Sequence, residues 1–189
     1  MEVATGDLLA MANLSRTKSG AYAEVKNHAL SSRMEPGSTF KLAALLALVD
    51  DAGMSLDETF DTGNAARVKV GLTTVQDSHG LPPLNLKDAV AHSSNVFFAR
   101  AVYETYKDDP ERYVDYLRHL PLDRTVGLEE FGAVAPIFPA PGMKIWYPDV
   151  SIVNMGYGYA IELTPLHTLT LYNAVANDGC MVAPVSYTH

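Results

Sequence analysis

The sequence has few of the features that mark several large classes of protein. Cys180 is its one cysteine, which excludes an internal disulfide and leaves the redox compartment open. The longest apolar stretch, residues 42–49, is far shorter than the ~20 residues that cross a bilayer. Basic residues number 14 against 22 acidic ones and form no run, which argues against nucleic acid or an anionic membrane surface as the main partner. The histidines show no metal-ligand spacing, so we expect no metal and no cofactor.

What is present is typical of a globular domain. Apolar residues make up 48% of the 189 residues and charged residues 19%, a composition that supports a sizeable core. No linker or repeat divides the chain, so we expect residues 1–189 to belong to one domain. Met1 leads directly into "EVATGDLLAMA", which is no signal peptide. If the intact protein is exported, its targeting segment and any membrane anchor lie outside this chain.

The order of local patterns predicts an α+β fold. The first residues indicate a hairpin, with a turn at residues 5–7 and a strand over residues 8–14. An apolar, buried helix is expected from Thr39, with Ser38 at its N-terminus. Asn85 is expected to cap a short helix that is interrupted at residues 93–95.

Further patterns extend this assignment along the chain. Two helices should follow residue 95 and meet near Pro110. Residues 55–83 contain short β-like pieces such as "ARVKVGLTTVQD", which the sequence does not resolve further. Thr164 and Pro165 begin a last helix, and "CMVAPV" indicates the start of a strand.

Ser38 and Lys41 are the first candidate catalytic pair. Residues i and i+3 of a helix lie on the same face, and a helix N-terminus favours developing oxyanion charge. A serine hydroxyl needs a neighbouring base, and a lysine in an apolar helix can serve if desolvation lowers its pKa toward neutrality. The alternative is a capping serine followed by a lysine that reaches water from the helix edge.

The spacing alone is weak support, because 11 serines and 7 lysines produce S-x-x-K by chance about 0.4 times. A second copy, Ser15 to Lys18, lies in a polar loop without an apolar helix after it, and we interpret it as accidental.

Ser93 and Asn95 form a second motif between two helical segments. The loop could present both side chains to one cleft. Ser93 would then relay a proton between Lys41 and a leaving group, while Asn95 would orient a substrate amide. An ordinary turn with a capping serine is the alternative, although two such motifs seldom coincide.

Three blocks in order, "EPGSTFK", "AHSSNVFFA" and "MGYGYAIELTPLHTLTLYNAVANDG", resemble the transpeptidase domain of class B penicillin-binding proteins. The opening "EVATGDLLAMAN" resembles the first hairpin of that domain, so the resemblance covers nearly the whole chain. In detail it favours the division-type (septal) members. Proteins of this family cross-link peptidoglycan stem peptides and are acylated by β-lactams.

The resemblance implies a penicillin-binding/serine β-lactamase-like fold, with an antiparallel sheet and a helical subdomain. It implies that Ser38 is the acylated nucleophile and Lys41 the general base. Ser93 would relay the proton, and Asn95 would contact the side-chain amide of the donor peptide or β-lactam. It also implies division or cell-wall synthesis partners and a location at the extracytoplasmic face of the inner membrane.

The family's third box, K-T-G or K-S-G, should follow the last helix, where it binds the substrate carboxylate beside an oxyanion N–H. The only Lys-Ser-Gly here is Lys18–Gly20, which precedes Ser38 and is interpreted as a polar turn. We therefore expect a partial transpeptidase domain, truncated at both ends, with the box beyond His189 and a final "VSYTH" of uncertain origin. We expect the chain alone to have little or no activity.

Two rival functions remain open. A serine β-lactamase or β-lactam sensor has the same fold, and "STFK" resembles the class D hydrolases. Those enzymes carry a hydrophobic residue where Asn95 stands, which favours the transpeptidase. The second rival is a non-catalytic interaction module with capping and turn serines.

Overall fold

The structure is a computed structural model that describes residues 1–120 and 122–186. Its strands form two-stranded antiparallel pairs: β1 (Ser15–Arg16) with β2 (Tyr22–Ala23), β3 (Thr59–Phe60) with β6 (Leu84–Asn85), and β4 (Arg67–Val70) with β5 (Thr73–Gln76). Its α-helices are α1 (His28–Ser31), α2 (Lys41–Leu46), α3 (Leu86–Ala91), α4 (Asn95–Tyr106), α5 (Pro110–His119), α6 (Ser151–Met155) and α7 (Pro165–Ala176). Every helix in the described residues is too short or too polar to cross a membrane.

The chain divides into two compact units. The first unit takes its described residues from 1–34, 121–137 and 162–189, and the second consists of residues 35–120 and 138–161. In the first unit, α1 packs against α7, and Leu30, Leu128 and Leu166 form the centre of an apolar cluster.

Helix α7 begins as its sequence predicts. Thr164 precedes it in an extended conformation and Pro165 occupies its first position, where the missing N–H costs nothing. The His167 ring closes this end, because its Nδ1 accepts the Thr164 backbone N–H at 3.3 Å.

The predicted strands at the two ends of the chain do not form in the described residues. Residues 8–14 have no regular structure, and Asp7 makes a single parallel bridge with Val185. Residues 180–184 form no strand either. The turn predicted at residues 5–7 lies two residues earlier, at residues 3–5. A segment becomes a strand only when its backbone pairs with a neighbouring strand, and here the described residues supply a single bridge. The rest of the final "VSYTH", residues 187–189, lies outside the described residues.

The second unit is built around one helical segment that changes geometry along its length. Residues Gly37–Phe40 form a 3₁₀ turn, α2 follows, and Ala47–Asp51 form a π-helical turn. The sequence predicts one uniform helix here. The widened last turn lets Ala47 O accept from both the Ala52 backbone N–H and the buried Tyr106 hydroxyl, the latter at 2.9 Å.

Helix α4 lies at the centre of the second unit and packs against α2, α6 and the β4–β5 hairpin. Most of its residues between 96 and 106 are fully buried, as the apolar run predicts. Helix α3 is capped by Asn85, whose side chain accepts the Asp88 N–H at 2.9 Å, and α5 begins at Pro110. These helix predictions are confirmed.

The α+β fold class is likewise confirmed. The expected single antiparallel sheet is represented, in residues 1–120 and 122–186, by short pairs and isolated bridges.

Candidate active site

Ser38 lies in the 3₁₀ turn at the start of the buried helical segment, and its side chain is exposed. The turn is held by Gly158, whose carbonyl oxygen accepts the Gly37 N–H at 2.9 Å. The two backbones approach so closely that a Cβ atom on Gly158 would lie 1.9 Å from Gly37 O. Glycine at 158 is therefore what lets the Ser38 turn occupy this position.

Lys41 brings the four predicted side chains together. Its Nζ lies 3.1 Å from Ser38 Oγ, 3.0 Å from Ser93 Oγ and 2.7 Å from Asn95 Oδ1. It also donates to the Ser93 backbone carbonyl. Only 6% of Lys41 is exposed, so it is no edge lysine that reaches for water.

The four acceptors around Nζ outnumber the hydrogen bonds that the Lys41 amine can make in either protonation state. A charged ammonium has three protons for four partners, so at least one contact must be shared or lost. A neutral amine has two protons for the two obligate acceptors, the Ser93 carbonyl and Asn95 Oδ1. Its lone pair then accepts from the hydroxyl of Ser38 or Ser93, so each form serves three of the four partners, and the pKa of Lys41 decides which form is present.

The electrostatics favour loss of the Lys41 proton. Burial lowers the pKa of Lys41 from 10.5 to about 8, and the negative charge of Asp77 partly opposes the decrease. The ring of Phe98, with its centroid 5.9 Å from Nζ, forms an apolar wall of the site. A substantial fraction of Lys41 is therefore unprotonated at mildly alkaline pH, as a general base requires.

In the turn between α3 and α4, neighbouring side chains have different partners. Ser93 has a φ of 50°, an unusual conformation for a residue with a side chain. Ser94 caps α4 by accepting the Phe97 N–H at 3.0 Å, while Ser93 and Asn95 on either side contact Lys41. The capping alternative therefore applies to Ser94, and the two motif residues face the amine.

Asp77 is the site residue that sequence reasoning missed. It is only 7% exposed and follows β5, with its N–H donated to Ala66 O at 2.9 Å. Its carboxylate accepts from Ser94 Oγ and from the Asn95 N–H, both at 2.6 Å. A single aspartate after a short β-like piece carries no recognisable spacing, so only a search for buried carboxylates could have found it.

The accidental motifs belong to the first unit. Ser15 Oγ contacts the His28 ring at 2.9 Å, and Lys18–Gly20 occupy the turn between β1 and β2, as interpreted from the sequence. In the part of the chain that the structure describes, no group of three or more His, Cys, Asp or Glu residues could hold a metal ion.

Comparison with known proteins decides the family. Residues 1–188 match the penicillin binding protein transpeptidase domain. The chain belongs to this family. The membership predicted from the three sequence blocks is thereby confirmed.

Relatives of this transpeptidase-domain chain include penicillin-binding protein PbpB of Mycobacterium tuberculosis, 30% identical over 97% of the chain and 27% of PbpB. The probable peptidoglycan D,D-transpeptidase FtsI of Caulobacter vibrioides is 28% identical over 95% of the chain and 30% of FtsI. A crystal structure of penicillin binding protein 3 from Mycobacterium tuberculosis, complexed with aztreonam, has a TM-score of 0.80 and 27% identity, and covers 97% of this chain and 41% of that one. This chain thus spans less than a third of the length of these curated relatives.

Proposed function

We propose that the complete protein is a peptidoglycan D,D-transpeptidase that works through an acyl ester on Ser38. The observation that carries the proposal is the 3.1 Å contact between Ser38 Oγ and the Nζ of a lysine that is almost fully buried. The names of the relatives, PbpB and the probable D,D-transpeptidase FtsI, support the same reaction.

In the acylation step, Ser38 Oγ attacks a carbonyl carbon of the donor stem peptide as its proton passes to neutral Lys41. The C–N bond of the donor then breaks, and the leaving amine receives that proton from Lys41, relayed through Ser93 Oγ. In the second step, the amine of an acceptor stem peptide attacks the ester carbonyl. Lys41 takes the proton of that amine and returns it to Ser38, so that the enzyme is regenerated.

Asn95 has hydrogen-bonding capacity left for a substrate. Its Oδ1 accepts from Lys41, and its Nδ2 donates to Gln76 O at 2.9 Å. One N–H of the amide and one oxygen lone pair remain. We assign them to the side-chain amide of the donor peptide or of a β-lactam.

The experiment is labelling of the complete gene product with a fluorescent penicillin, followed by intact mass measurement. We expect one acyl adduct, which Ser38→Ala removes and Ser78→Ala, a change at an exposed serine, leaves. A long-lived adduct, with release of the terminal residue from synthetic stem peptides, supports the transpeptidase. An adduct released within a second would support a β-lactamase instead, and no mass increase would support a non-catalytic module.

We further propose that the complete protein acts at the extracytoplasmic face of the inner membrane, where stem peptides lie. In this proposal a segment outside this chain anchors it, and the protein works with division or cell-wall synthesis partners as a division-type member. Localisation of a fluorescent fusion to the division site tests this, since uniform labelling of the envelope would contradict the division subtype. The low activity of the 189-residue chain alone, and its assignment as a partial domain, stay predictions that labelling of the chain itself can test.

A further inference from the structure

Asp77 is a buried carboxylate with an unusual set of partners. A carboxylate that is 7% exposed is costly unless its oxygens are satisfied. Here all three hydrogen bonds come from the start of α4: Ser94 Oγ donates to Oδ2, and the N–H groups of Asn95 and Val96 donate to Oδ1. The partners are thus Asn95, whose side chain contacts Lys41, and its two neighbours in the chain.

We propose that Asp77 is a positioning residue of this active site: its carboxylate fixes the turn that presents Ser93 and Asn95 to Lys41, and it is the negative charge beside these residues. This proposal rests on the function proposed above. It assigns Asp77 no contact with substrate.

The geometry explains how the turn is fixed. Successive side chains in this turn point in different directions, so holding Ser94 toward Asp77 leaves Ser93 and Asn95 directed at Lys41. The Asp77 backbone is itself held by a hydrogen bond from its N–H to Ala66 O. These two residues flank the β4–β5 hairpin, which packs against α4. The carboxylate also lies at the N-terminus of a 12-residue helix, where negative charge is favoured.

The charge of Asp77 acts on Lys41 as well. Among the described residues, it is the charged group that raises the pKa of Lys41 against the lowering by burial. The other groups that face the amine, Ser38, Ser93, Asn95 and the Phe98 ring, are uncharged. Without Asp77, Lys41 should therefore lose its proton at a lower pH.

The test is the pH dependence of penicillin acylation by the complete protein carrying Asp77→Asn. The change keeps the size of the side chain but removes the charge and one acceptor oxygen. We expect the maximal acylation rate to fall about tenfold, because hydrogen bonds to a charged group are lost. We also expect the midpoint of the alkaline rise to move to lower pH.

The matched control is Asp88→Asn, which removes an equal charge from an exposed position on α3 and should change neither quantity. An unmoved midpoint in Asp77→Asn would overturn the proposal, even if the rate fell, since a merely structural role would lower the rate alone. Asp77→Glu retains the charge, so a midpoint shift as large as that of Asp77→Asn would also contradict it.

Two further measurements keep the result decisive. If Asp77→Asn fails to fold, Ser94→Ala removes the 2.6 Å bond and keeps the charge, so we expect a lower maximal rate at an unchanged midpoint. A normal rate in that variant overturns the proposal. Titration of the Lys41 amine by NMR in wild type and Asp77→Asn needs no acylation, so failure of the proposed function (an unlabelled wild type) is distinguished from failure of this inference.

Discussion

Gly158→Ala is the sharpest test of how the nucleophile is placed. The added Cβ would lie 1.9 Å from Gly37 O, whereas real Cβ contacts stay beyond 3.0 Å. The segments around Gly37 and Gly158 must therefore separate by about 1 Å, which lengthens the hydrogen bond from the Gly37 N–H to Gly158 O. Ser38 directly follows Gly37, and a displacement of about 1 Å at a reacting group can lower a rate about hundredfold.

The chain offers a matched control for the backbone cost. Gly142 has a φ of +84°, close to the +89° of Gly158, but a Cβ there would meet nothing within 4 Å. Either change places alanine at a positive φ, which costs roughly 1–2 kcal/mol of folding free energy. Only Gly158→Ala also weakens a hydrogen bond worth about 1 kcal/mol. The difference between the two variants thus isolates the close approach.

The assay is the rate of fluorescent-penicillin acylation together with the free energy of unfolding, both for the complete protein. We expect Gly158→Ala to be acylated about a hundredfold more slowly than Gly142→Ala and to be about 1 kcal/mol less stable. Gly37→Ala gives a second check, because its Cβ meets nothing within 4 Å and should disturb the turn far less. Equal acylation rates in Gly158→Ala and Gly142→Ala would refute the reasoning.

Three other outcomes are expected. Lys41→Ala should abolish acylation and leave the fold intact. The control Lys69→Ala, at an exposed site on β4, should be acylated normally. Normal labelling of Lys41→Ala would remove Lys41 from the mechanism. Because burial lowers the pKa of Lys41 to about 8, the unfolding free energy of wild type relative to Lys41→Met should rise by about 3 kcal/mol as the pH increases from about 8 to 10.5; a flat difference in denaturant titrations would contradict this. Asn85→Ala should lower stability by about 1 kcal/mol through loss of the α3 cap without slowing acylation, and a slower rate would show that α3 is coupled to the site.

The sequence predicted the parts of this fold that local chemistry decides. Helices α3, α5 and α7 begin where Asn85, Pro110 and Pro165 indicate, because caps and proline act within one turn of the chain. The convergence of Ser38, Lys41, Ser93 and Asn95 was inferred from two short motifs and a family resemblance, and the structure places the other three side chains around the Lys41 amine.

What the sequence could not predict depends on distant partners. The strand expected over residues 8–14 follows the predicted turn in a mostly apolar segment, but in the described residues the one bridge there lies at Asp7, just before it. The π-helical turn after α2 involves the hydroxyl of Tyr106, more than 50 residues away. Asp77 was missed for the same reason, since its importance lies in the α4 residues that it contacts across the fold.

Burial and the charge of Asp77 act on the pKa of Lys41 in opposite directions. The apolar surroundings of Lys41 favour the neutral amine, while Asp77 favours the protonated form. The resulting pKa of about 8 leaves part of the amine neutral at mildly alkaline pH and keeps it basic enough to accept a proton. A lysine kept entirely neutral would be too weak a base to hold the Ser38 proton, and one kept entirely charged could not accept it. Because Asp77 acts on the amine and holds the turn beside it, a change there should alter the rate and its pH dependence together, whereas a change at Gly158 should alter the rate alone.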